Sequence, residues 1–225
     1  EGARVVRDAL LWAVNQIEPG HSCPISMTTS VVPALRHQPD LVARWEPFIT
    51  ARHYEPELGV LGTDKHSAIL GMGMTEKQGG SDVRANTTTA VAQHDGTYRV
   101  TGHKWFTSAP MSDGFLILAQ APGGITCFLL PRILPDGTRN AIEIQRLKDK
   151  LGNRSNASSE LEFREAVVHR VGEEGRGVRT IIEMVNATRI DCVSAVVGQM
   201  RQAVTQAAWH TRHRWAFGSA LADKP

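Results

Sequence analysis

A glycine-rich stretch at residues 71–82 holds the residues whose types and spacing are best suited to bind a ligand. Its sequence is GMGMTEKQGGSD, with four glycines, a threonine, a glutamate and a closing Ser-Asp pair. Ordering glycine costs more backbone entropy than ordering any other residue, so such a stretch indicates backbone that approaches a ligand closely. Gly-Gly-Ser-Asp is equally typical of a surface turn after a strand. The stretch alone leaves both interpretations open.

Two common phosphate-binding motifs do not fit this stretch. A dinucleotide fingerprint requires G-x-G-x-x-G at the start of a helix, but Glu76 stands where the third glycine is needed. A P-loop requires Gly-Lys followed by Ser or Thr, and the chain contains no such triplet. The glycines therefore need another explanation.

The overall composition indicates a soluble, globular protein. The chain has 225 residues, of which 41% are hydrophobic, and a formal net charge of +2. No apolar run is long enough to span a membrane, and the first residues lack a signal-peptide pattern. Cys23, Cys127 and Cys192 are far apart, which argues against a disulfide framework or a zinc site. We expect a cytoplasmic protein without a membrane partner or a bound metal.

The hydrophobic period divides the chain into three regions. Residues 1–66 have helical spacing of apolar residues, which predicts helices to about residue 62. Residues 67–172 contain short alternating runs separated by turn signals, the pattern of a β-barrel or sandwich. Residues 173–225 return to helical spacing, in one long helix from Gly177 to Phe217. We therefore predict an α+β protein with a helical region, a β domain and a further long helix.

Three short motifs follow each other along the chain. They are GMTEKQGGSDVRA at residues 73–85, GHKWFTS at residues 102–108 and RWAFG at residues 214–218. In residue type, spacing and order, these motifs resemble those of the acyl-CoA dehydrogenase family. The segments MTEKQGGSDV, LPDGTRNAI and RLKDKLGNRSNAS are similar in particular to its alkylation-response branch, the AidB branch.

This resemblance implies an acyl-CoA dehydrogenase-like fold. Its parts would be N-terminal helices, a central antiparallel β-barrel-like domain that binds a flavin, and the start of a C-terminal helical domain. The chain would correspond to the middle of a longer family member and would lack most of the C-terminal bundle. The implied assembly is a homotetramer.

By the same resemblance, the ligand at the glycine-rich stretch is FAD. Thr75 would lie at the pyrimidine edge of the flavin, Ser81 near the pyrophosphate, Phe106 against the ring and Ser108 near N5. Thr75, Ser81 and Ser108 would also contact the substrate. The expected cofactor-binding residues are Met72, Gly73, Met74, Thr75, Glu76, Lys77, Gln78, Gly79, Gly80, Ser81, Phe106, Thr107, Ser108 and, toward the FAD of a neighbouring subunit, Arg214 and Phe217.

The resemblance also implies a reaction, but not its catalytic base. In the family, FAD takes a hydride from the β carbon of an acyl-CoA while a carboxylate removes the α proton. One branch places this carboxylate just before an arginine of the long helix, where this chain has Thr188 before Arg189. Glu76 and Asp82 are expected to hold the loop instead. We therefore expect no catalytic residue in this chain and a base beyond residue 225.

Two functions remain in competition at the level of sequence. The first is an FAD-dependent, acyl-CoA dehydrogenase-like oxidoreductase with weak α,β-dehydrogenation of short acyl-CoA. The alternative is a DNA-associated flavoprotein of the adaptive response to DNA alkylation, with little turnover, whose DNA contact would lie mainly in the missing C-terminal region. Arg201, Arg212 and His213 near the end of the chain are weak evidence for DNA binding. A fragment that binds neither ligand is the third possibility.

Overall fold

A computed structural model describes residues 2–225 of the chain. Its four helices are α1 (Ala3–Val14), α2 (Ser22–Leu35), α3 (Pro39–Ile49) and α4 (Gly177–His213). Its strands are β1 (Leu70–Gly73), β2 (Thr89–Ala92), β3 (Tyr98–Ser108), β4 (Gly114–Ala121), β5 (Gly124–Pro131), β6 (Ile142–Leu147), β7 (Ser158–Val171), β8 (Trp215–Ala216) and β9 (Ser219–Ala220). The predicted α+β architecture is confirmed.

The helical region ends earlier than its apolar spacing predicts. Helix α3 begins with Pro39, whose fixed φ suits a first helical turn, and it ends at Ile49 rather than near residue 62. Residues 50–69 contain no helix, because Pro56, Gly59 and Gly62 disfavour one and Gly62 has φ +85°. This irregular segment leads directly into β1.

Strands β2 to β5 and β7 close into a barrel. Strand β4 pairs antiparallel with β5, which pairs with β7; β7 pairs with β3, β3 with β2, and β2 meets β4 again. The predicted antiparallel arrangement holds for most of the sheet, but β1 runs parallel to β4. Phe115, Phe128 and Phe163 fill the interior. The barrel thus holds the ends of β1 and β3 at fixed positions relative to each other.

The helices cover one side of the barrel and share a core with it. Leu35 of α2, Trp45 of α3, Leu118 of β4 and Ile181 of α4 belong to one buried apolar cluster. The predicted boundaries, 66/67 and 172/173, lie in the segments between α3 and β1 and between β7 and α4. Within residues 2–225, no helix is long and apolar enough to cross a membrane.

Candidate functional site

The glycine-rich stretch forms β1 and the loop that follows it. The loop is tied to the second motif through the backbone, because Trp105 N donates to Thr75 O at 2.8 Å. A tight turn closes it, with Gly79 N donating to Glu76 O at 2.9 Å and Gly79 at φ +108°. That backbone conformation favours glycine. Loop and strand β3 therefore form one unit.

A buried ion pair fixes the base of this loop. Glu76 Oε1 lies 2.6 Å from Lys104 Nζ, and neither side chain is exposed. The other oxygen of Glu76 accepts hydrogen bonds from the backbone and hydroxyl groups of Thr87. Burial raises the pKa of Glu76, but hydrogen bonds from Lys104 and Thr88 outweigh it and hold the pKa at about 2. Burial lowers the pKa of Lys104, and Glu76 opposes this. Glu76 holds the loop and is not free to exchange protons.

The second motif directs some side chains to the barrel interior and others to a cavity, and an irregularity in the β3–β7 register between Lys104 and Thr107 interrupts the simple alternation of a strand. Lys104 and Thr107 are buried, with Thr107 1% exposed, whereas the ring of Phe106 is 46% exposed. A Cβ atom at Gly73 would lie 3.0 Å from Thr107 Oγ1, so β1 needs a small residue there. The side chain of Thr107 thus faces β1 inside the barrel. Of this motif, Phe106 and Ser108 line the cavity.

A cavity of about 570 Å³ lies between the barrel and the helices. Such volumes are typical of small-molecule and cofactor sites. The cavity brings together Met72, Met74 and Thr75 of the first motif with Phe106 and Ser108 of the second. The rest of its lining comes from α1, α2, α4, the α1–α2 connection and the β6–β7 connection: Leu11, Asn15, Pro19, Ser22, Cys23, Ser26, Met27, Asn153, Thr188, Asp191, Cys192, Ala195, Val196 and Gln199.

Other predicted site residues lie outside this lining. Lys77 N donates to His103 Nε2 at 3.1 Å, and Gln78 donates to Asn86 at 2.8 Å, so both take part in holding the loop. Ser81 is exposed. The predicted residues that do not line the cavity are Gly73, Glu76, Lys77, Gln78, Gly79, Gly80, Ser81, Thr107, Arg214 and Phe217.

Arg214 and Phe217 are far along the chain from the first two motifs and lie beyond the end of α4. They belong to the small β8–β9 hairpin, in which Phe217 is 98% exposed and has φ +52°. The structure does not bring these two residues together with the other candidates.

One wall of the cavity is polar and comes from residues that the motifs did not indicate. Asp191 of α4 is 2% exposed and accepts two hydrogen bonds from Arg7 at 2.7 and 2.6 Å, one from Arg4 at 2.9 Å and one from Ser26 at 2.7 Å. Burial raises the pKa of Asp191, but Arg7 and Ser26 outweigh it and lower the pKa overall. This carboxylate ties α1 and α2 to α4.

The face of α4 toward the cavity could have been read from helical spacing. Thr188, Asp191, Cys192, Ala195 and Gln199 recur at intervals of three and four residues, and so lie on one face of the helix. Thr188 donates to Val185 O at 2.8 Å. Among the residues lining the cavity within positions 2–225, the only carboxylate is therefore the fully bonded Asp191.

Family comparisons agree with this geometry. Residues 71–166 match the family model described as acyl-CoA dehydrogenase, middle domain, and residues 1–56 match the adaptive response protein AidB N-terminal domain. AidB of Escherichia coli (strain K12) is 48% identical over 225 residues, which is 100% of this chain and 41% of that protein. The chain belongs to the acyl-CoA dehydrogenase family. The resemblance to its AidB branch is confirmed, and the chain spans less than half of the AidB relative.

Solved structures of the family share this fold. Caenorhabditis elegans ACDH-11, in complex with C11-CoA, gives a TM-score of 0.86 at 32% identity over 99% of this chain and 38% of that chain. A glutaryl-CoA dehydrogenase from Mycobacterium smegmatis, in complex with FADH2, gives 0.60 at 23% identity over 69% of this chain and 40% of that chain. The second likeness concerns the fold alone.

Proposed function

We propose that this chain is the flavin-binding part of an FAD-dependent, acyl-CoA dehydrogenase-like oxidoreductase. The observation that carries the proposal is the cavity in which both motifs meet, with Thr75 and Ser108 at its wall and the Phe106 ring facing it. The C11-CoA bound to ACDH-11 supports this choice of substrate class, and the match of residues 71–166 to the acyl-CoA dehydrogenase middle domain supports the choice of cofactor.

The residues present fit a flavin. An isoalloxazine ring has apolar faces and a polar edge, and the cavity offers Met72, Met74 and Phe106 for the faces. Thr75 and Ser108 provide hydroxyl groups for the edge. When bound there, FAD would supply the hydride acceptor. The chain would supply binding, orientation and exclusion of water on the side of α2 and α4.

The cavity offers no suitable base for proton removal. The carboxylate of Asp191 is held ionised by Arg7 and Arg4, which makes it a poor proton acceptor. Glu183 pairs with His37 at 2.8 Å and does not line the cavity. We therefore place the base outside residues 2–225 and expect weak turnover of short acyl-CoA at most.

Anaerobic stopped-flow mixing with butyryl-CoA tests this proposal. The full-length protein loaded with FAD should show slow bleaching of the flavin absorbance, and residues 1–225 alone should show none. A general base typically contributes about a hundred- to ten-thousand-fold in rate. Rapid bleaching by residues 1–225 would overturn the assignment, because a residue within them would then have to be the base.

A homotetramer is part of the same proposal. Arg214 and Phe217 lie on an exposed hairpin away from the cavity of their own chain, so a flavin contact by them requires a second subunit. Arginine suits such a role because its guanidinium binds phosphate in a bidentate manner. Sedimentation of the full-length protein should give a tetramer, whereas a monomer at all concentrations would contradict the assignment.

A role in the adaptive response to DNA alkylation is the second candidate. It is favoured by the 48% identity to AidB and by the match of residues 1–56 to the AidB N-terminal domain. DNA contact would lie mainly outside this chain, since its net charge is only +2. The full-length protein should then bind duplex DNA in a salt-dependent manner, while residues 1–225 should not.

A further inference from the structure

A hydrogen-bonded chain of side chains leads from Lys150 to the cavity. Lys150 Nζ donates to Ser158 Oγ at 2.9 Å and to the backbone oxygen of Asn156 at 2.5 Å. Ser158 Oγ lies 3.3 Å from Ser108 Oγ, and Asn156 Nδ2 donates to the same Ser108 oxygen at 3.3 Å. Ser158 and Asn156 are buried, at 4% and 5% exposure. Of these residues, only Ser108 lines the cavity.

Two groups in this chain can only donate, the Lys150 ammonium and the amide nitrogen of Asn156. A hydroxyl group has one hydrogen to donate and two lone pairs to accept. Ser158 accepts from Lys150, and either hydroxyl can donate across the 3.3 Å contact between Ser158 and Ser108. When Ser158 donates, Ser108 accepts from both Ser158 and Asn156 and its own hydrogen is left for a group in the cavity.

The thiol of Cys23 lines the cavity together with Ser108. Burial raises the pKa of Cys23, and hydrogen bonds from Ser108 and Asn156 oppose the change. A thiol is a weak acceptor, so a ring nitrogen at the same place would compete well for the Ser108 hydrogen. The cavity thus presents the Ser108 hydroxyl, with the Lys150 cation behind it.

The local fold explains why these residues meet. Ser108 ends β3 and is paired with Ser158 at the start of β7. The connection between β6 and β7 runs back along the same edge, with Lys148 N donating to Ser158 O at 2.7 Å. Lys150 itself lies in this connection, and its ammonium is held by the first residue of β7, Ser158, and by the backbone oxygen of Asn156.

We propose that Lys150 is a positioning residue for the flavin: through Ser158 it holds the Ser108 hydroxyl at the cavity wall and places a positive charge behind it. This inference rests on the proposed function. The reduced flavin carries negative charge, and a nearby cation in a partly buried site stabilises that charge. Lys150 therefore raises the reduction potential of the bound FAD. A structural lysine would leave this potential unchanged.

The test measures the reduction potential of FAD bound to the full-length protein, by dye-coupled reduction. Lys150→Met should lower the equilibrium constant for two-electron reduction of the flavin at least about tenfold, which corresponds to a decrease in reduction potential of about 30 mV. Lys150→Arg should restore most of the loss, because it keeps the charge. Arg139→Met, which removes one exposed positive charge outside the cavity lining, should leave the potential unchanged.

A second variant separates the hydrogen bond from the charge. Ser158→Ala keeps Lys150 but interrupts the chain, so a smaller decrease in the same direction is expected. Ser158→Ala also provides the test if Lys150→Met no longer binds FAD. The inference would be overturned if Lys150→Met kept the wild-type reduction potential. If Lys150→Met binds no FAD, a wild-type reduction potential in Ser158→Ala would overturn it. Wild-type protein without FAD would overturn the proposed function as well.

Discussion

Lys104 Nζ lies 2.6 Å from Glu76 Oε1 in an ion pair that is wholly removed from solvent. One partner comes from the glycine-rich loop and the other from strand β3, so the pair joins the two motifs that meet at the cavity. Removing one partner of a buried pair leaves an unpaired charge, which costs far more than the pair itself contributes. The pair therefore fixes the loop relative to β3 at the cavity wall.

Glu76→Gln should destabilise the protein by about 3–5 kcal/mol, because Lys104 would be left buried without a counter-charge. Urea unfolding measures the change. Glu57→Gln, at an exposed glutamate, is the matched control and should have little effect. The double variant Glu76→Gln/Lys104→Met should recover part of the loss, since no buried charge remains. A Glu76→Gln variant as stable as the control would contradict the assigned role.

The same pair predicts a dependence of stability on pH. The folded pKa of Glu76 is about 2, below the ordinary value for glutamate of about 4.3. A lowered folded pKa contributes stability above the ordinary value, and this contribution is lost as the pH falls toward 2. The free energy of unfolding should therefore fall less steeply with acid in Glu76→Gln than in wild type. Equal slopes of the free energy of unfolding against pH, between about pH 2 and the ordinary pKa of glutamate, would contradict this role of Glu76.

Gly79→Val should weaken FAD binding at least about tenfold, because a β-branched residue is strained at φ +108° and would distort the loop. Gly96→Val is the matched control. Gly96 also has a positive φ, of +82°, and a Cβ would meet no atom within 4 Å at either position. Both variants should lose similar stability, but only Gly79→Val should lose FAD affinity in a flavin fluorescence titration. Equal affinities would argue against a flavin at this loop.

The variant Asp191→Asn tests whether the carboxylate of Asp191 has a structural or a catalytic role. Removing the charge leaves Arg7 without its partner, so we expect a lower free energy of unfolding, by about 1–3 kcal/mol. The rate of flavin bleaching by butyryl-CoA should change only a few-fold. A loss of a hundredfold or more in rate with FAD still bound would instead identify Asp191 as the base.

The sequence motifs predicted the architecture and the barrel side of the site. Thr75, Phe106 and Ser108 line one cavity because the loop after β1 is bound to β3 by the hydrogen bond from Trp105 N to Thr75 O. The helical side was not predicted: Cys23 and Asp191 carry no motif, and they reach the cavity only through the packing of α2 and α4 on the barrel. Strand alternation also explains why Thr107, beside two cavity residues, faces the interior instead.

The positions of the helix ends could likewise be predicted from the sequence only in part. Apolar spacing predicted α1 and α3, but spacing alone could not indicate that Gly59 and Gly62 interrupt the pattern beyond Ile49. The role of Lys150 was likewise invisible along the chain, since its partners Ser158 and Ser108 are brought to it by pairing of β3 with β7.

The FAD content of the full-length protein tests the central claim most directly. Protein and released flavin are measured together after incubation with excess FAD and removal of the unbound cofactor. One tightly held FAD per chain is expected. Phe106→Ala should lower this FAD content, whereas Tyr54→Ala, at an exposed aromatic residue outside the cavity lining, should leave it unchanged. A wild-type protein that retains no flavin would contradict the central claim.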